Sequence, residues 1–107
     1  MRKFVIACTR HNDLYFGGNA VLFWGPNSSG YTACLESAGL YSEEEAVEKG
    51  KGTHGQDIPI PIEMLGMGES FFVSVETGLK EVSRITLFNK HNEANKAILN
   101  ECRKLYC

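Results

Sequence analysis

The longest unbroken apolar runs in this 107-residue chain, Phe4–Cys8 and Ala20–Trp24, are only five residues long. A membrane span takes about 20 apolar residues, so runs this short predict short strands and no membrane segment. Met1-Arg2-Lys3 before the first run resembles the start of an export signal. The apolar stretch is too short for one, and polar Thr9-Arg10-His11-Asn12-Asp13 follows at once. We therefore read Lys3–Thr9 as a first strand and expect the chain in the cytosol.

Turn chemistry divides the rest. Asn12-Asp13 and Gly17-Gly18-Asn19 make His11–Asn19 a connection, and Ala20–Gly25 reads as a strand that is central or covered on both faces. Pro26-Asn27-Ser28-Ser29-Gly30 is a turn in which Pro fixes φ while Asn and Gly accept left-handed geometry. Tyr31-Thr32-Ala33 returns as a short strand, and Leu35–Leu40 fits one helical turn ending at Gly39. Ser42 with Glu45 is a capping box, which predicts a helix over Glu43–Lys49 that stops at Gly50.

Gly50–Asp57 is a glycine-rich loop, and Ile58-Pro59-Ile60-Pro61 is extended because each proline disfavours α geometry in the residue before it. Pro61 starts a short helix to about Leu65. Ser70–Glu76 alternates like a half-buried strand, and Thr77-Gly78-Leu79-Lys80 is a turn. Glu81–Asn89 reads as the return strand, with a helix as the alternative because Val82, Ile85, Leu87 and Phe88 do not alternate cleanly. Asn92 caps a last helix whose buried stripe is Ala94, Ile98, Cys102 and Leu105. Strands and helices come in groups. That favours one α+β domain, with a small, mostly antiparallel sheet and helices packed on one face.

The charge is near balance, formally −2. No polybasic run suggests duplex nucleic acid, and no acidic block suggests a nucleic-acid mimic. The four cysteines, Cys8, Cys34, Cys102 and Cys107, are expected as reduced thiols, with Cys8 and Cys34 buried. Cys8 and His11 have C-x2-H spacing, but no second close pair completes a zinc site. We expect neither metal nor cofactor.

Three constellations have chemical interest. Trp24 and Tyr31 flank a turn containing Asn27 and Ser28, where aromatic faces and backbone N–H groups suit a base or an anion, with Arg10 and His11 adding positive charge. Gly50-Lys51-Gly52-Thr53-His54-Gly55 is not a Walker loop, because Gly52 separates Lys51 from Thr53, yet it suits a binding loop. The only thiol–base pairs worth naming are Cys8 with His11 and Cys34 with His54. No catalytic motif emerges.

Phe23-Trp24-Gly25-Pro26-Asn27-Ser28-Ser29-Gly30-Tyr31-Thr32, then Leu35-Glu36-Ser37-Ala38-Gly39-Leu40-Tyr41-Ser42-x-Glu44-Glu45-Ala46, resembles a group of small bacteriophage and mobile-element proteins of uncharacterised activity. Ile58-Pro59-Ile60-Pro61 is similar to their Ile-Pro segment. The resemblance implies an accessory protein that acts by binding, on a host protein such as one of antiviral defence. Its surface is expected at the Trp24–Thr32 turn and the Arg10–Tyr15 loop. A second reading is a sponge for a signalling nucleotide, at an oligomer interface, with Arg10, His11 or Lys51 near a phosphate. A third is a cysteine-dependent enzyme or redox protein.

Overall fold

The computed structural model describes residues 3–13, 17–68, 70–77 and 81–107, with 71–77 and 81–85 described by backbone alone. Tyr15 of the expected Arg10–Tyr15 loop, and Gly78, Leu79 and Lys80 of the expected turn, lie outside the described residues, as does the expected half-burial of side chains 71–76.

Strands β1 (Phe4–Cys8), β2 (Leu22–Trp24), β3 (Tyr31–Thr32) and β4 (Asp57–Pro61) form an antiparallel sheet in the order β3-β2-β1-β4. Every residue of β1 is buried. β1 and β4 pair from Phe4↔Pro61 to Cys8↔Asp57. An edge strand has a row of N–H groups that no neighbour needs, so Pro59 and Pro61 are accommodated there. β2 is shorter than the apolar run that contains it. Its first residues pair elsewhere: Ala20 bridges Asn89, and the Val21 N–H donates to Phe88 O at 2.9 Å.

That pairing joins the sheet to a second unit, a ribbon of β5 (Ser70–Thr77) and β6 (Glu81–Phe88), in register from Ser70↔Phe88 to Thr77↔Glu81. Segment 81–88 is therefore strand, not helix.

Helix α1 (Glu43–Gly50) begins with both halves of its capping box: Glu45 N–H donates to Ser42 Oγ at 3.2 Å, and Ser42 N–H to Glu45 Oε1 at 3.0 Å. The Ser42 N–H bond holds the Glu45 carboxyl below its ordinary range. A short helix α2 (Ile62–Leu65) follows Pro61. Helix α3 (Glu93–Tyr106) is capped by the Asn92 side chain, which accepts from Asn95 N–H at 3.1 Å.

The buried stripe of α3 differs from the expected one. Ile98 and Cys102 are buried, but Ala94 is exposed and Leu105 is 58% exposed; Asn95 is buried in their place, with Leu99 and Tyr106 half-buried. The Asn95 amide donates to Asn89 O at 2.8 Å, and Tyr106 packs edge-on against Phe4 at 5.2 Å. A polar residue with its bonds made in the core sets the helix rotation here.

Alternation along β1 separates two cores. Val5 and Ala7, with Phe23, Ile58, Ile60 and Phe88, lie under Ile98 and Cys102 of α3. Phe4 and Ile6 meet Tyr41 and Ala46, with Trp24 packed alongside. The fold is thus α+β around an antiparallel sheet; α3 covers one face and α1 extends helical cover to the other.

A carboxylate ties the ribbon to this body. In the 3-10 turn Leu35–Ser37, Glu36 accepts from the Thr86 N–H at 2.7 Å and the Thr86 hydroxyl at 2.6 Å. Burial pushes the Glu36 carboxyl up, but the hydrogen bonds from Thr86 outweigh it and hold the group down at about 2, against an ordinary 4.5. A depressed folded-state pKa means stabilisation that is full above the unfolded value and is lost as pH falls through the folded one. Thr86 amide exchange, corrected for its intrinsic rate, should therefore accelerate as pH falls from 4.5 to about 2. Glu36→Gln should exchange faster at neutral pH and change little across that window. Equal Thr86 protection in the two proteins at neutral pH would contradict this account of the tie.

Candidate functional site

The chain reverses between β2 and β3 through Pro26–Ser28, with Asn27, Ser28 and Gly30 at φ of 52°, 62° and 77°. The left-handed Asn27 and Gly30 follow the expected turn chemistry. The N–H groups expected to bind an anion are largely occupied, however. Ser28 N–H donates to the Tyr41 hydroxyl at 3.0 Å, Ser29 N–H to Pro26 O at 3.0 Å and Gly30 N–H to Ser28 O at 3.2 Å. The Tyr41 hydroxyl in turn donates to Gly25 O. The turn is a braced support, not an anion nest.

What it supports is a row of side chains. The register Trp24↔Tyr31 puts both rings on one face, with centroids 4.5 Å apart. Lys49 Nζ stands 4.5 Å from the Trp24 ring centroid, within cation–π range. On the other side His11 lies 5.1 Å from Tyr31, and Arg10 Nη2 donates to the Tyr31 hydroxyl at 3.1 Å. Arg10 also pairs with Asp57 Oδ2 at 3.0 Å, where Asp57 is 4% exposed and Arg10 35%. Asp57 raises the Arg10 pKa. Burial raises that of Tyr31, which stays a neutral donor and acceptor. The indole N–H of Trp24 is buried with no acceptor among the described residues.

Arg10 is thus the sole described ion-pair partner of a buried carboxylate. Its removal should destabilise the fold by about 1–2 kcal/mol, the scale of a hydrogen bond to a charged group reduced for the exposed arginine. Adding Asp57→Asn to Arg10→Ala should restore part of that loss in chemical denaturation; purely additive losses would show that the pair is not coupled.

The seven residues singled out from sequence divide three ways. Arg10, His11, Trp24 and Tyr31 come together. Asn27 and Ser28 line a separate cleft of about 490 Å³ with Leu40, Tyr41, Glu45 and Lys49. Lys51 lines a cavity of about 610 Å³ with His54 and Arg103, and neither Arg10 nor His11 reaches it. The expected meeting of Arg10, His11 and Lys51 on one phosphate does not occur.

Comparison with family models, curated proteins and solved structures finds no match to this chain. The functional reading therefore rests on geometry and on the sequence resemblance.

The four cysteines are free. Cys8 is buried close to Arg10 and Tyr31, whereas Cys34, expected to be buried, is half-exposed and its thiol donates to Glu36 Oε1 at 3.3 Å. Burial pushes the Cys102 thiol up to about 11, leaving it a packing group. His54 lines the Lys51 cavity, which does not include Cys34, whereas Cys8 and His11 both lie beside Tyr31. Lys49, Asp57 and Arg103 escaped the sequence reading because nothing local marks them: each gains its role from a distant neighbour, Lys49 from Trp24, 25 residues away, Asp57 from Arg10, 47 away, and Arg103 from Gly55, 48 away. Among the described residues no helix is long and apolar enough to cross a membrane.

Proposed function

We propose that this chain is a non-enzymatic binding module that uses the Arg10–His11–Tyr31–Trp24 row, with Lys49, to engage a protein partner. In this reading it is a bacteriophage or mobile-element accessory protein that inhibits a host protein, one of antiviral defence, in the host cytosol. The origin and the target follow from the sequence resemblance. The four free thiols fit a reducing compartment.

One observation carries the reading: an exposed tyrosine and a half-exposed arginine are held in place by a buried carboxylate and an indole ring. Tyr, Trp and Arg dominate the energetics of protein interfaces. Side chains already fixed before contact lose little conformational entropy on binding.

Tyr31→Ala and His11→Ala test the surface while leaving both side chains of the Arg10–Asp57 pair in place, although Tyr31→Ala removes the hydroxyl that accepts from Arg10 Nη2. In a folded protein, Tyr31→Ala should weaken partner affinity about 30-fold, the effect of a hot-spot truncation. Retention of full affinity in both variants, measured by biolayer interferometry against the partner recovered with the unaltered chain, would sink the assignment.

A further inference from the structure

The cavity of about 610 Å³ beside the C-terminal end of α3 lies apart from the surface proposed for a partner. Lys51, His54 and Arg103 line it together with Cys107, and Tyr106 and Val47 form an apolar wall; among the described residues no Asp or Glu side chain lines it. Among the described residues the Lys51 ammonium is engaged only by Glu48 at 3.4 Å, an exposed pair that is weak in water.

Arg103 is positioned, not loose. Its Nε donates to Gly55 O at 2.8 Å and its Nη1 to Asn100 Oδ1 at 2.9 Å, so Nη2 has no protein acceptor among the described residues. Gly55, at φ 77°, lets the arginine lie against the loop; a Cβ there would stand 2.9 Å from Arg103 Cδ. The loop bends through left-handed Gly52, His54 and Gly55. The N–H groups of these three residues donate to no group among the described residues. Fixed guanidinium, ammonium, imidazole and free backbone N–H groups around one hollow match the several acceptor oxygens of a phosphate.

We infer that this cavity binds the phosphate group of a small phosphorylated molecule, whose body lies against Tyr106 and Val47. Lys51 and Arg103 neutralise the charge, and His54 with the loop N–H groups completes the hydrogen bonding.

The test is an NMR titration of the intact protein with inorganic phosphate and, separately, with adenosine monophosphate. Saturable shifts are expected at the Gly52, His54 and Gly55 amides. Lys51→Ala, at an exposed position, and His54→Asn, which tolerates left-handed backbone, should each weaken binding about tenfold, as loss of one charge-assisted hydrogen bond does. Tighter binding of the nucleotide supports a phosphoester ligand held in part by the apolar wall; equal binding supports the phosphate site with free phosphate as its occupant. Absence of saturable shifts with both probes, or shifts that survive both substitutions, overturns the inference. Tyr31→Ala should leave the titration unchanged, so this site and the partner surface fail independently.

Discussion

Phe23→Ala is expected to destabilise the fold by about 3–5 kcal/mol, the usual loss for a fully buried phenylalanine. Phe23 is 0% exposed and sits on the face of β2 that meets α3's core. Its ring meets Phe88 edge-to-face at 6.4 Å, so it also holds the base of the β5–β6 ribbon against the sheet. Truncation removes apolar burial and leaves a cavity between elements that backbone pairing keeps apart. For a domain near this size the loss corresponds to a fall in Tm of about 15 °C or more. Phe23→Leu retains most of the volume and should lose about 1 kcal/mol. Thermal unfolding of the pair is the check. A Phe23→Ala protein within a few degrees of the original would mean that the ribbon and sheet do not share this core.

The second large effect is at Gly39, where crowding replaces cavity formation. A Cβ on Gly39 would stand 2.6 Å from Gly25 O, 2.7 Å from Gly25 C and 2.9 Å from Pro26 Cα, all backbone atoms that cannot rotate away. Gly39 N–H also donates to Trp24 O at 2.9 Å. Gly39→Ala must therefore push the 39–41 segment off the turn that carries Trp24. Overpacking of this kind destabilises by about 1–3 kcal/mol. Near-UV circular dichroism should report loss of the fixed Trp24 environment together with the fall in stability. An unchanged spectrum and Tm would contradict the close approach.

Much of the fold was legible because the deciding signals are local. Ser42 and Glu45 announce α1 through bonds they make to each other, and Pro59 and Pro61 announce an extended segment through the restriction each places on the residue before it; that this segment is an edge strand comes from the folded sheet. The same locality explains the errors. Nothing near Asn95 or Tyr106 in the chain says that they, and not Ala94 or Leu105, face inward; Asn89 and Phe4 decide it. Gly39 reads as a helix stop, whereas its lack of a side chain admits Gly25 and Pro26. Of the candidate surface, the Trp24–Tyr31 pairing follows from the turn between them. The anchoring of Arg10 by Asp57 depends on the β1–β4 register, which only the folded sheet reveals.

The central claim, that the Arg10–His11–Tyr31–Trp24 row is a partner contact, is tested most directly by photo-crosslinking in bacterial cells that carry the chain. A photoreactive amino acid is placed at exposed His11 and, in a second protein, at Lys96 on α3. A discrete adduct to a single host protein from position 11, absent from position 96 and suppressed by Tyr31→Ala, is the expected result. No adduct from position 11, or the same adducts from both positions, would contradict the account.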